Sequence, residues 1–356
     1  MIKCGMKILV FEYITGGGFN KQKLPDPLKN EGCLMLQALL DSLRFQVNHK
    51  DLSIMVMLDY RFKGLINTDG FESIIIKREQ NSHEEFVRLA QECDAVWPIA
   101  PESDGVLQHV CQAVEQLGKR LLSSSSDGVT LTGNKFKTYE RLKEYPIATV
   151  PTRLFTRANS HTEALNMAHE LAELCSLNSI DKIDQWVVKP VDGVGCTDNY
   201  ILTDQQDFVQ MHSRQGHYII QPHLLGKKTS LSCLFKEGIG WLLCVNLQKF
   251  NIINQQYQLS EIIVNCNADL SRYQDLVKSI AQAFTELWGY VGIDLIETTE
   301  QIFVLEINPR LTTSFVGINE ALGINVAENV LQLLNGPPII KPLYNQAIRI
   351  QVKHND

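Results

Sequence analysis

The chain has 356 residues, which at about 150 residues per domain allows two or three domains and several cores. Hydrophobic residues make up 44% and charged residues 21%, with 22 Gly and 12 Pro, a composition that excludes extended disorder, collagen-like repeats and coiled coil. The 33 Lys and Arg against 40 Asp and Glu leave a formal charge of −7, so the basic face that nucleic acid or an anionic membrane needs is lacking, while a local basic cleft for a small anion remains compatible.

In chain order, Lys7 to Phe11 reads as a buried strand, and Leu36, Leu39, Leu40 and Leu43 mark one face of a helix. Ile54 to Leu58, Ile74 to Ile76 and Ala95 to Trp97 are further strands, with a helix through Phe86, Leu89 and Ala90 between the last two. Val106, Val110, Ala113, Val114 and Leu117 give another helix, ending near Gly118. This alternation predicts a parallel α/β sheet. The polar tract Ser123 to Gly128 reads as a hinge and places the first domain boundary, giving an N-terminal domain over 1–122.

Beyond it the pattern predicts a helix over Lys135 to Lys143, a Pro-bounded turn from Pro146 to Pro151 and a long helix from about Thr162 to Cys175. Strands follow at Trp186 to Lys189, Tyr218 to Ile220, 229–236 and 239–249, then a helix from about Leu270 to Trp288. Val291 to Ile296 and Ile302 to Ile307 are strands joined by a tight turn, and Val326, Val330, Leu333 and Leu334 share a helix face before Gly336-Pro337-Pro338. We expect a second domain over 123–336, with lobes of about 123–220 and 221–336, and a tail over 337–356. The nine cysteines contain no Cys-x-x-Cys pair, and an odd count does not fit a secreted disulfide framework. With no signal-peptide pattern at the start and no run approaching the ~18 apolar residues of a spanning helix, a cytoplasmic protein without membrane contact is expected.

Two segments point to chemistry. In Val291-Gly292-Ile293-Asp294 and Val304-Leu305-Glu306-Ile307-Asn308-Pro309-Arg310, strand alternation puts Glu306 and Asn308 on one face, and Asp294 can meet them from the neighbouring strand. Two carboxylates and an amide oxygen form a hard donor set for Mg²⁺, with Mn²⁺ as a substitute, and phosphates and waters complete the shell. In Val187 to Cys196, a strand delivers Lys189 and opens into a Gly-containing loop, Asp192-Gly193-Val194-Gly195, whose N–H groups can approach phosphate oxygens. The spacing matches neither a P-loop nor a dinucleotide fingerprint.

Together and in this order, these segments resemble the ATP-grasp superfamily of carboxylate–amine ligases. The resemblance implies a Rossmann-like pre-ATP-grasp domain followed by a two-lobed clamp that holds ATP between antiparallel sheets. It implies phosphate-contacting roles for Lys135 and Lys189, a phosphate loop at Asp192, Gly193, Val194 and Gly195, and adenine contacts from Gln221, Pro222, His223 and Leu224. Asp294, Glu306 and Asn308 take the place of the magnesium ligands, and Arg310 that of the cation steadying the reacting carboxylate or acyl phosphate. Lys228 stands where a ribose-binding Glu is usual, and a lysine has donors but no acceptors.

A narrower set of strings resembles the tyramine–glutamate ligase group, which serves methanofuran-type cofactor biosynthesis. They are Glu12-Tyr13-Ile14-Thr15-Gly16-Gly17-Gly18, Ile99 to Gly105, and Leu311-Thr312-Thr313-Ser314. That resemblance implies substrate contacts from Thr15, Gly16, Gly17, Gly18, Thr313 and Ser314. The expected partners are a small carboxylate and an amine, with a homodimer allowed. A ligase for another amino acid or amine, and a non-catalytic nucleotide-binding regulator, stay open at this point.

Overall fold

Apolar runs buried on both faces, alternating with amphipathic helices, build a parallel sheet because each crossover helix covers one face. The computed structural model describes residues 5–24, 26–47, 52–155, 185–193, 198–203, 207, 211, 216–267 and 269–352. Its first sheet consists of β1 (Met6–Glu12), β2 (Leu52–Asp59), β3 (Glu72–Ile76), β4 (Ala95–Ile99) and β5 (Arg120–Leu121), all parallel in the order β3-β2-β1-β4-β5. The helices are α1 (Asp26–Val47), α2 (Ser82–Gln91) and α3 (Val106–Gln116). Alternation along β1 sends Ile8 and Val10 to the side of Leu36, Leu39, Leu40 and Leu43 of α1, while Leu9 and Phe11 meet Phe86 and Leu89 of α2 and Val110 of α3. The α/β expectation for this part holds strand by strand.

The serine tract behaves differently from a loose hinge. Ser125 caps α4 (Ser126–Thr132), its Oγ accepting from the Gly128 N–H at 3.1 Å. Ser123 and Ser124 are buried and donate to the carbonyls of Pro309 and Trp288 at 3.1 and 3.2 Å. Their hydroxyls seal a seam between the two sheets, something composition alone does not distinguish from solvent exposure. The parallel sheet ends just before this tract, with β5 at Arg120–Leu121. Helix α5 (Lys135–Lys143) follows, capped by Asn134.

The second sheet is antiparallel and runs β14-β13-β10-β11-β12-β8-β7-β9-β6, with β15 on β12. Its strands are β6 (Arg153–Phe155), β7 (Trp186–Pro190), β8 (Tyr200–Leu202), β9 (Tyr218–Pro222), β10 (Lys227–Lys236), β11 (Ile239–Ile253), β12 (Gln256–Val264), β13 (Gly289–Glu297), β14 (Ile302–Asn308) and β15 (Ile348–Gln351). The halves meet at the register pair Gln256–Tyr200 and at the Ile201 N–H, which donates to the Gln255 carbonyl. Strand β12 is missing from the sequence reading. The turn before it places Asn254 and Gln255 at φ +49° and +61°, as a primed hairpin turn requires, and Gln is an unusual residue for that conformation.

Helix α6 (Ser271–Ala283) packs Tyr273, Val277 and Ile280 against β10 and β11, and is shorter than the expected span to Trp288. Phe284 leaves helical angles, and Gly289, at φ +77°, swings the chain into β13. Helices α7 (Phe315–Leu322) and α8 (Val326–Gln332) share one apolar cluster with α1 and β1, so a continuous core joins the two sheets. The six described cysteines are free. Among the described residues no helix is long and apolar enough to cross a membrane. The helix expected over Thr162 to Cys175 lies outside the described residues.

Candidate active site

The site is built on β13 and β14, where Asp294 pairs with Glu306 and Gly292 with Asn308. A register shift after Asp294 leaves Leu305 as an extra residue beside the pair, a bulge that re-aims neighbouring side chains. Asn308 Nδ2 donates to Asp294 Oδ2 at 3.1 Å, and Gln248 Nε2, from β11, donates to Oδ1 at 2.9 Å. Lys135, at the start of α5, lies 3.3 Å from Glu306 Oε2 and donates to the Gly193 carbonyl at 2.5 Å. Lys189 reaches the same cleft from β7 and is 7% exposed.

The electrostatics follow from that packing. Burial pushes the Asp294 carboxyl up, and the adjacent Glu306 charge pushes it further, to about 8. Burial also acts upward on Glu306, yet Lys135 and Lys189 outweigh it and hold that carboxyl down at about 2. Two carboxylates in contact thus keep one proton between them, which a divalent cation would displace. No group of three His, Cys, Asp or Glu side chains gathers anywhere among the described residues, this cleft included. Two carboxylates and an amide oxygen form the sparse protein set that magnesium shares with substrate phosphates.

Arg310, next along the chain, is turned toward the first domain. Its Nε and Nη2 donate to Glu102 Oε2 at 3.0 and 2.9 Å, and Nη1 donates to the Leu311 carbonyl. The side chains are 11% and 4% exposed, and Glu102 Oε1 has no partner among the described residues. Two residues on, the Asp104 N–H donates to Asp192 Oδ2 at 2.9 Å, tying this loop to the segment after β7. Val194 and Gly195 lie outside the described residues. Gly292 makes room for the loop that follows Arg310, since a Cβ there would sit 2.5 Å from Thr312 Cγ2.

Gln221, Pro222, His223 and Leu224 line the cleft at its other end with Val150, Ile296 and Leu305, an apolar slot for a flat base. The Gln221 amide is already engaged, donating to Thr152 Oγ1 at 2.7 Å. His223 Nε2 meets the Tyr257 hydroxyl, and burial, then the Lys228 charge, lowers its pKa. The Lys228 ammonium lies 3.0 Å from the Tyr257 ring centroid and 4.7 Å from that of Phe250. An ammonium over π faces is stabilised by the ring quadrupoles.

Thr313 and Ser314 line the cleft, whereas Thr15, Gly16, Gly17 and Gly18 do not. Those four form a tight helical turn, with Thr15 Oγ1 donating to the buried Glu12 at 2.6 Å. Gly17 sits at φ +103° and Gly18 lies under the Tyr13 ring. Residues that sequence reasoning missed are Glu31 in the cleft wall and Glu102 behind Arg310. A faint signal exists for the first: Gly32 sits beside it inside α1, and a Cβ there would stand 2.8 Å from Glu12 Oε2.

Residues 132–314 match the ATP-grasp domain family, and residues 52–129 match the pre-ATP-grasp 3 domain family. The chain belongs to the ATP-grasp family and is an ATP-using carbon–nitrogen ligase. It is 24% identical over 313 residues to the tyramine–L-glutamate ligase of Methanocaldococcus jannaschii, covering 87% of this chain and 84% of that one. The enzyme of the same name from Methanocaldococcus fervens is 23% identical, with coverage of 87% and 89%. In fold it is similar to an ATP-grasp superfamily protein from Archaeoglobus fulgidus (TM-score 0.67, 21% identity, 97% of this chain and 92% of that one). It is also similar to the biotin carboxylase domain of Hydrogenobacter thermophilus 2-oxoglutarate carboxylase, solved with MgADP and bicarbonate (TM-score 0.68, 15% identity, 96% and 71%).

Proposed function

We propose that the protein joins the side-chain carboxyl of L-glutamate to the amine of tyramine, consuming ATP and releasing ADP and phosphate. The observation that carries this reading is one cleft holding Lys189, the Asp294–Glu306–Asn308 cluster and Arg310, with Lys135 against Glu306. A carboxylate resists nucleophilic attack. Its oxygen therefore takes the γ-phosphoryl group as the bond to the bridging oxygen of ADP breaks, and the resulting acyl carbon is open to a neutral amine. The amine forms the new C–N bond, phosphate leaves with the electrons of the C–O bond, and the amine gives up a proton.

Lys135 and Lys189 offset phosphate charge, and Arg310, held by Glu102, steadies the carboxylate and then the acyl phosphate. No side-chain nucleophile is required, because positioning and electrostatics supply the catalysis. Asp294, Glu306 and Asn308 would hold magnesium, which neutralises charge on the transferring phosphoryl group when bound. Asp192, held by the Asp104 N–H, and Gly193, whose carbonyl accepts from Lys135, stand at the phosphate end of the cleft and help exclude water there. Leu259 and Ile262 offer an apolar wall for the tyramine ring beside Thr312, Thr313 and Ser314. The homologues' names support this substrate pair and a place in methanofuran-type cofactor synthesis. Free described cysteines agree with a reducing compartment, and a homodimer is part of the same proposal.

The test is a competition between tyramine, phenethylamine, dopamine and free amino acids at fixed glutamate, with product read by mass spectrometry and spent nucleotide by chromatography. Tyramine should win and ADP should accumulate. A site fitted to the phenol rejects phenethylamine because a buried polar group loses its partner. An amino acid outcompeting tyramine ends the substrate assignment, and AMP as the stoichiometric product ends the acyl-phosphate reading.

A further inference from the structure

We infer that Glu31 receives the α-ammonium of the amino acid whose side-chain carboxylate is activated beside Arg310, so that the cleft selects an amino acid over a plain dicarboxylate. The inference rests on the ligase reading above and deepens it. Glu31 rides on α1 of the parallel-sheet domain yet forms part of the cleft wall with Arg310, Thr312, Thr313 and Ser314. The Thr313 hydroxyl donates to its Oε1. That donor fixes the orientation of the carboxylate. An ionised carboxylate has about four acceptor sites, and among the described residues Oε2 has no partner.

The other two carboxylates of the cleft are committed. Asp294 accepts from Gln248 and Asn308, and Glu306 faces Lys135. Among the described residues of the cleft wall, Glu31 is therefore the acidic group available to a ligand, and it lines that wall together with Arg310. A cation and an anion lining one cleft match a zwitterion. The reacting carboxylate turns to Arg310, which also meets the developing acyl phosphate, and an ammonium turns to Glu31. That ammonium is not the attacking one. An attacking amine must be neutral, and a fixed ionised carboxylate holds its partner protonated.

The experiment compares L-glutamate with glutarate, which lacks only the α-ammonium, at saturating ATP and tyramine, in the wild type and in Glu31→Gln. Gln keeps the size and the acceptor for Thr313 but removes the charge. The wild type should prefer L-glutamate. In Glu31→Gln the glutamate KM should rise about tenfold or more, as for a buried ion pair losing one charge. Glutarate kcat/KM and the KM values of ATP and tyramine should stay within about twofold. Glu31→Asp, which keeps the charge, should recover part of the preference.

An unchanged glutamate-to-glutarate ratio in both variants would overturn the inference. An equal loss on both acids, with the acidic limb of the pH profile gone, would move Glu31 to the attacking amine and overturn it too. Thermal unfolding of each variant separates either result from misfolding. If the wild type turns over neither acid, the substrate reading has failed instead. The accepted amino acid and its des-amino analogue then decide the role of Glu31.

Discussion

At the scale of single residues, a group at odds with its surroundings outside the cleft is Glu12. It is 1% exposed, and it accepts from the Ile14 N–H at 3.2 Å and from the Thr15 N–H and hydroxyl at 2.6 Å. Burial nevertheless dominates and raises its pKa from 4.5 to about 7, the Thr15 and Ile14 hydrogen bonds pulling the other way. The folded state therefore binds this proton more tightly than the unfolded chain does. Its contribution to stability is complete below about pH 4.5 and is lost as pH rises through about 7. Denaturant unfolding at intervals from pH 5 to 8 should show wild-type stability falling by up to about 3 kcal/mol from this source. Glu12→Gln should flatten that slope. Equal slopes in both proteins would mean that Glu12 is charged in the fold. The sequence showed Glu12 as part of a family-like string, but not that Thr15 serves it.

At the scale of elements, the segment Glu102 to Gly105 bridges parts that sequence places far apart. Asp104 and Gly105 both adopt positive φ, +54° and +67°, a strained local path that turns the Asp104 N–H to Asp192 while Glu102 holds Arg310. Glu102→Gln halves the charge complementarity around a buried guanidinium and lets it drift. Loss of positioning by about 1 Å costs on the order of a hundredfold in rate, so kcat should fall by about that factor while the ATP KM changes little. Steady-state kinetics at varied ATP checks this; a rise in ATP KM without a fall in kcat would place Glu102 outside the reaction. Elements were readable where both faces are buried, as in β1, β2 and β4, because continuous apolar runs need no partner to be recognised. Strand β12 was not, since its alternation is short, Gln256 to Leu259, and is broken by Ser260 and Glu261 after an atypical turn, so its identity depends on pairing with β11 and β15.

For the whole molecule, one apolar cluster running from β1 and α1 through α7 and α8 to β10 and β13 fixes the two sheets around the cleft. Within the cleft, Asp294 and Glu306 already have protein partners in Gln248, Asn308 and Lys135. The fold thus does not depend on a cation, while charge neutralisation on the phosphates does. Chelation of divalent ions should abolish turnover and leave the thermal midpoint in the absence of nucleotide unchanged. A lowered midpoint on chelation, restored by magnesium, would assign the metal a structural role.

By itself the sequence determined the two sheets, most of their helices, the family and the Asp294–Glu306–Asn308 arrangement. Period-two alternation on adjacent strands is local information, and a short turn leaves little freedom in which residues meet. Only the tertiary structure decided which groups serve Arg310, what occupies Gln221, and that Glu31 enters the cleft wall. The partners of Arg310 and Glu31 lie 208 and 282 residues away along the chain. Contacts at such separations are set by how the domains pack on their shared core, and no local spacing encodes that packing.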